Sequence, residues 1–272
     1  MCAGTTNTNT RIGAYLAARR SLISPDEVGL TTRAWRAARG LTREQLARAS
    51  GVSKERMLAI ERGDAATDAE LEALAGVLQL DAHARAHLAR LARDAPPLWP
   101  ASPASARTHE LLGAWSRRVA FVVDRNLDLL DATALARRVL GEFAEPGTNQ
   151  LVTTFRRAAA ATDDRDRWYA VARYFASALR YYGDPADPRY AAITSSLDSD
   201  MEFQRIWRRH DAGPLTQELP RPRLLIDGVG WLDFEYEVFE VPRAPGQAII
   251  VLWFDSDSGD SLIIDRLADS LT

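Results

Sequence analysis

The sequence predicts an all-helical N-terminal region followed by an α+β domain, and two observations carry that prediction. Up to Arg93 the chain repeats a short grammar of helix starts and stops. Beyond a segment rich in Pro, Ala and Ser, DAPPLWPASPASA (Asp94–Ala106), period-two alternation appears at both ends of a helical stretch. A chain of 272 residues is comfortable for two domains. The boundaries follow: a disordered leader at 1–10, a helical domain at 11–94, a linker at 95–106 and the α+β domain at 107–272.

Each element has its own signal. MCAGTTNTNT lacks the basic and apolar blocks of a secretory signal and reads as a leader. Arg11–Arg20 is a short helix. SPDE at Ser24–Glu27 has the form of a capping box with Pro25 at the first helical position. A helix over Arg33–Arg39 stops at Gly40. Thr42 caps the next, with Gln45 as its reciprocal partner, and Gly51 ends it. Ser53 caps KERMLAIER, which stops at Gly63. Helices over Asp68–Leu78 and Asp81–Arg93 complete the region.

Past the linker, AFVVDRNLDLLD (Ala120–Asp131) predicts two short strands about the turn Asp124-Arg125-Asn126. Helices are expected near 132–143, 151–161, 165–182 and between Pro188 and His210. GWLDFEYEVFE then alternates: Leu232, Phe234, Tyr236 and Val238 face one way, Asp233, Glu235 and Glu237 the other, the mark of one half-buried strand. Gln247–Phe254 is apolar on both faces, hence a central strand. A short helix, Ser261–Ser270, closes the chain.

Composition narrows the function. Hydrophobic residues make up 46% and charged residues 26%, ordinary for a globular protein. The longest apolar runs are far too short to cross a bilayer. The one cysteine, Cys2, has no partner within the chain, which fits a reducing compartment and makes the cytoplasm the expected location. Net charge is −3, but it is unevenly spread: Thr31–Gly63 holds 8 basic and 3 acidic residues. A basic segment on an acidic remainder suits an end that meets phosphates.

Catalytic and metal signals are weak. There is no G-x-S-x-G, Walker loop or G-x-G-x-x-G, so no enzyme is expected. His83 and His87 stand four apart, but no further ligand completes a zinc site, and an exposed helix face is the reading. DSDSGDS (Asp255–Ser261) has Arg266 where a calcium loop needs glutamate, and reads as a solvated turn. No metal and no cofactor are expected.

The strongest signal is GLTREQLARASGVSKERMLAIERG, Gly40–Gly63. Two short helices joined by a tight glycine-containing turn are what a helix-turn-helix requires, with Leu46, Ala47, Val52, Met57 and Ile60 as contacts between them. The segment resembles the XRE family of phage-repressor-like regulators, whose pattern is GLTxxxLAxxxGVS followed by ERG. The resemblance implies that the helix Lys54–Arg62 enters the major groove of duplex DNA. It puts Lys54, Glu55 and Ala59 at base-facing positions, and Thr42, Arg43, Ser53 and Arg62 at phosphates. Lys54 suits guanine O6 and N7, Glu55 suits cytosine N4, and Ala59 can touch a thymine methyl. The resemblance also matches Arg36 and Glu61 to a pair that ties helices together.

Nearly the full length, from ISPDEVGL through DRNLDLLD, TNQLVTTF and EFQRIWRRHD to AIIVLWF, is similar to the MmyB-like regulators. These join an XRE-type head to a PAS-like ligand-binding domain. The resemblance implies a fatty-acid-like or otherwise apolar ligand held between sheet and helices. Phe121, Val123, Phe155, Tyr174, Phe175, Trp207, Phe234, Tyr236 and Trp253 are side chains able to wall such a pocket, and equally able to pack as plain core. Arg208 and His210 are candidates to hold a carboxylate, or to end an exposed helix. The expected function is a ligand-controlled DNA-binding regulator. A C-terminal domain that binds a protein partner instead is the alternative. One helix-turn-helix reads few bases, so a homodimer is expected.

Overall fold

The computed structural model describes residues 5–30, 40–100, 105–157, 165–219, 223–226, 229–241, 243–254 and 259–271. They fall into two units: Met1–Pro96 with Arg205–Gly213, and Pro97–Gln204 with Pro214–Thr272. The division between Pro96 and Pro97 lies inside the expected linker.

The first unit holds α1 (Thr5–Arg20), a 3₁₀ turn at Pro25–Val28, α2 (Arg43–Ser50), α3 (Lys54–Arg62), α4 (Asp68–Val77) and α5 (Ala82–Ala92). The helix predicted over Arg33–Arg39, and Arg36 with it, lies outside the described residues. Caps set the boundaries of α2 and α3. The Thr42 hydroxyl accepts from the Gln45 N–H at 3.1 Å, while the Gln45 side chain accepts from the Thr42 N–H at 2.8 Å. Ser53 caps α3 by accepting from the Arg56 N–H at 3.1 Å, and Gly51 and Gly63 end the two helices in the left-handed region. The apolar faces meet in one core of Tyr15, Leu16, Leu46, Met57, Ile60, Leu74, Leu78 and Leu88, all essentially inaccessible. Burying each such side chain contributes roughly 1.5–3 kcal/mol.

Two expectations for this region need correction. The leader is not disordered through residue 10, since α1 begins at Thr5. TNTNT has no apolar period of its own. Extending a helix already nucleated by the buried Ile12, Tyr15 and Leu16 costs less than starting one. His87 is buried rather than on an exposed face, with its ring 5.4 Å from that of Tyr15.

The second unit contains α6 (Ala106–Ala114), β1 (Val119–Asp124), β2 (Leu129–Ala132), α7 (Ala134–Leu140), α8 (Gln150–Arg156), α9 (Arg165–Tyr182), α10 (Pro188–Leu197) and α11 (Met201–Trp207), the last three residues of which belong to the first unit. There follow β3 (Arg223–Ile226), β4 (Gly230–Asp233), β5 (Glu235–Glu240), β6 (Gln247–Trp253) and α12 (Gly259–Asp269). A four-stranded sheet runs β2-β1-β6-β5 with every neighbouring pair antiparallel, and β3–β4 is a separate hairpin. This is the α+β architecture that the sequence predicts.

Three details differ from the sequence reading. The alternating stretch 230–240 is two strands, not one: Leu232 pairs with Leu224 in the hairpin, and Tyr236 pairs with Leu252 in the sheet. Alternation records which face is buried but not which strand lies alongside, so a change of partner at Phe234 leaves the pattern intact. The helix expected between Pro188 and His210 is likewise two. The Asp200 carboxylate accepts from the Glu202 and Phe203 N–H groups at 2.8 and 3.0 Å, capping α11 and ending the continuity with α10. Strand β3 carried too short a pattern to be read.

The turn between β1 and β2 is a polar hub. Asp124 Oδ1 accepts from the Asn126 and Asp128 N–H groups at 2.8 and 2.9 Å. Arg125, buried, donates to Asp187 at 2.7 Å and to the Trp99 carbonyl at 3.4 Å, and Asn149 donates to the Asn126 carbonyl at 2.7 Å. Arg189 grips Asp128 through two nitrogens at 2.6 and 2.7 Å. Burial lifts the Asp124 carboxyl to about 6, against the pull of its two N–H donors. The Arg125 hydrogen bond holds Asp187 down at about 2.

Candidate functional site

The first candidate surface is the N-terminal end of α3. Lys54, Glu55 and Arg62 are exposed and Ala59 is half-buried, while Met57 and Ile60 on the opposite side enter the core. The helix therefore turns its apolar stripe inward and offers a charged face to solvent. Thr42, Arg43 and Ser53 are exposed beside it. The hydroxyls of Thr42 and Ser53 already accept backbone N–H groups as caps, which leaves each O–H available as a donor.

Three ion pairs border this face. Arg43 donates to Glu61, whose side chain is 7% exposed against 43% for the arginine, and Arg20 of α1 lies 3.6 Å from the same carboxylate. Glu61 thus pairs with Arg43 and Arg20 among the described residues, Arg36 being outside them. Lys54 reaches Glu44 on α2 at 3.4 Å, with both side chains mostly exposed, a pair worth little in water. Arg56, which sequence reasoning passed over, joins α3 to α4 through Glu70 at 2.5 and 3.0 Å. That hydrogen bond draws the Glu70 carboxyl down to about 2.

The second candidate is the interior of the C-terminal unit, and strand register sorts its predicted wall residues. Phe121 pairs with Ile250 and Tyr236 with Leu252, so Phe121, Val123, Ile250, Leu252 and Tyr236 share one face of the sheet. Phe121 and Val123 are buried there, with α7 packed against β1. Trp253 pairs with Glu235 and belongs to the other face. There it joins a core of Leu112, Val122, Ile249 and Val251, its ring edge-on to Trp115 at 5.7 Å and Arg118 stacked over it at 5.0 Å. Trp253, expected in one pocket wall with Phe121 and Tyr236, is therefore corrected to the opposite face: one residue of register separates it from Leu252, the partner of Tyr236, and that inverts the side chain.

The remaining wall candidates divide further. Phe155 on α8 is buried edge-on to Trp168 and Phe203, at 5.4 and 5.5 Å. Tyr174 on α9 is edge-on to Tyr236 at 6.0 Å and to its neighbour Phe175 at 5.2 Å. Phe234, half-buried between β4 and β5, lies 6.2 Å from Phe254. Trp207 is half-buried in α11 and falls in the first unit, as do Arg208 and His210.

Sequence reasoning missed the hydroxyls. Tyr174 donates to the Leu215 carbonyl, Tyr182 accepts from the Leu215 N–H at 3.4 Å, and Tyr236 donates to the Gln217 carbonyl. Burial pushes Tyr174 well above its ordinary range and Tyr182 up to about 12, so both stay neutral, Tyr174 as donor and Tyr182 as acceptor. Tyr182 also stacks on Trp99 with centroids 3.9 Å apart. A tyrosine's apolar body signals burial, but the partner of its oxygen is a backbone group that no side-chain pattern discloses.

Comparison with known families identifies both parts of the chain. Residues 104–267 match the MmyB-like transcription regulator ligand binding domain, more than half of the chain. The chain belongs to the MmyB-like transcription regulators. In this MmyB-like regulator, residues 27–88 separately match a helix-turn-helix domain, the span that holds α2 and α3. No curated protein matches the chain. The architecture of an MmyB-like regulator is thus a DNA-binding helix-turn-helix joined to a ligand-binding domain, a ligand-responsive transcription regulator. Among the described residues, no helix is long and apolar enough to cross a membrane, and no group of three or more His, Cys, Asp or Glu gathers to hold a metal ion.

Proposed function

We propose that this regulator reads duplex DNA with Lys54, Glu55 and Ala59 in the major groove and with Thr42, Arg43, Ser53 and Arg62 on phosphates. We propose further that it acts in the cytoplasm as a homodimer, and that its affinity is set by an apolar, fatty-acid-like ligand held against the helix-covered face of the C-terminal sheet. The observation that carries the DNA reading is the exposed, capped N-terminus of α3, with Lys54 and Glu55 in its first turn. The ligand reading is supported by the apolar face bearing Phe121, Val123 and Tyr236 in a domain of the ligand-binding family.

The test has two arms. Fluorescence anisotropy on random-sequence duplex should show affinity falling steeply with salt. Arg43→Ala should weaken binding to every sequence, and Lys54→Ala should also relax preference at one base pair by about 1–3 kcal/mol. Native mass spectrometry of the purified chain should reveal a bound fatty acid. Salt-independent DNA binding would remove the groove reading, and a chain that neither retains nor takes up a fatty acid would remove the ligand reading.

A second reading, a C-terminal domain that grips a protein partner, is favoured by one observation. On and beside the β3–β4 hairpin, Leu225, Val229 and Trp231 are 52%, 38% and 42% exposed. Co-purification of a stoichiometric protein without any small molecule would favour it.

A further inference from the structure

We propose that residues 205–217 act as a strap that carries the ligand-bound state of the C-terminal unit to the DNA-reading helix. This rests on the functional reading above and names how its two activities are joined. The chain leaves the second unit after Gln204, contributes Arg205–Gly213 to the first unit, and re-enters the second at Pro214. The stretch 205–217 therefore crosses the division between the units, although the family's ligand-binding match runs through it without interruption.

Each end of the strap is built into its unit by specific groups. In the first, Asp211 accepts from Arg19 near the C-terminus of α1, and its other oxygen accepts from Arg209 at 2.9 Å. His210 holds a left-handed backbone at φ +52° and sets its ring edge-on to the buried Tyr15 of α1 at 6.5 Å. That left-handed residue turns the chain after α11, its N–H bonded to the Trp207 carbonyl at 3.2 Å. In turn α1 rests directly on α3: Gly13 meets the Glu61 backbone, and Arg20 meets the Glu61 carboxylate. A shift of Asp211 thus moves the helix against which the reading helix is seated.

At the other end, the Tyr174, Tyr182 and Tyr236 hydroxyls hold Leu215 and Gln217. Leu215 is fully buried. Tyr174 and Tyr236 are themselves proposed ligand-wall residues. A ligand that displaces either ring alters its grip on Leu215 or Gln217, four and six residues from Asp211 along the chain by their numbering. Pro214 fixes one backbone dihedral in the short segment between them. The tyrosines are positioning residues in this scheme, acting through the strap.

The test uses the full chain, random-sequence duplex DNA, and decanoate, myristate and stearate as probes. Coupling is reciprocal, so DNA binding must alter the ligand-side end of the strap. Hydrogen exchange at Leu215 and Gln217 should change several-fold when DNA is added to the native chain, with no fatty acid present. In Asp211→Asn that response should vanish while DNA affinity stays within about twofold, and the reciprocal swap R19D/D211R should restore it. Where a fatty acid binds, as read by a shift in melting temperature, it should change DNA affinity several-fold in the native chain and not in Asp211→Asn. An exchange response that survives Asp211→Asn, or its absence in the native chain, overturns the strap. Failure of every fatty acid to bind, with the exchange response intact, overturns the ligand reading and leaves the strap standing. Should Asp211→Asn fail to fold, Tyr182→Phe tests the same strap from its other end with the same two readouts.

Discussion

Gly13 on α1 lies so close to the carbonyl oxygen of Glu61 on α3 that a Cβ at position 13 would stand 2.1 Å from it. The obstacle is backbone, not a flexible side chain, so it can yield only by separating the two helices. Gly13→Ala should therefore cost the first unit about 1–3 kcal/mol, in spite of alanine's better helix propensity. Thermal unfolding of the variant checks this, and an unchanged or raised melting temperature would show that the helices are seated elsewhere.

The hydroxyl of Ser53 is expected to serve two roles, cap and phosphate donor, and two substitutions separate them. Ser53→Ala removes both and should destabilise α3 by about 1 kcal/mol while weakening DNA binding. Ser53→Asp preserves the cap and adds a negative charge at the helix N-terminus, which suits the helix dipole but repels phosphate. Its stability should match the native chain while its DNA affinity falls further than that of Ser53→Ala. Equal DNA affinities for the two variants would mean that no phosphate approaches position 53.

Asp124 should give the C-terminal unit a pH dependence of unusual sign. Its folded pKa of about 6 is above the ordinary carboxylate value of 3.8, so the folded state binds more protons than the unfolded state between those two values. Stability therefore falls as pH rises through that window, by an amount on the order of 2 kcal/mol. Asp187, held at about 2, acts oppositely and only in acid: its contribution is complete above about 3.8 and is lost as pH drops toward 2. Asp124→Asn keeps an oxygen to accept the Asn126 and Asp128 N–H groups and should abolish the fall between pH 4 and 6. Chemical denaturation across that range measures it, and a slope that persists in the variant would assign the effect to another group.

Trp253 and Tyr236 should respond differently because they lie on opposite faces of the sheet. Trp253→Ala should lose stability on the order of 3 kcal/mol through its packing with Trp115. The rise in melting temperature produced by a bound fatty acid should be unchanged. Tyr236→Ala should reduce that rise as well as stability. A fatty-acid response that disappears in Trp253→Ala would place the ligand on the α6 side.

The parts of this molecule most legible in the sequence are those where one residue type answers one local geometric demand. Thr42, Gly51, Ser53 and Gly63 bracket α2 and α3 because capping and left-handed termination are local requirements. The long α9 emerged at its true limits for a related reason, an apolar stripe sustained over several turns. What was hidden depends on partners distant in sequence. The change of partner at Phe234, the placement of Trp253 behind the sheet and the place of Arg205–Gly213 in the first unit are all settled by register and packing. The base-facing role proposed for Lys54 and Glu55 rests on likeness to a family pattern; the structure adds that these side chains are exposed.

The sheet order β2-β1-β6-β5 also dictates when each unit can exist during synthesis. Every helix from α1 to α5 is encoded by Ala92, whereas β1 waits for β6, whose pairing Val122↔Ile249 closes a loop spanning most of the C-terminal unit. Non-local pairing of that kind is slow, and domains emerge from the ribosome in order. The nascent regulator therefore presents its DNA-binding helices well before it has a completed sensor to govern them. A chain cut short ahead of Glu235 would keep the reading helix but lose half the strands of the sheet.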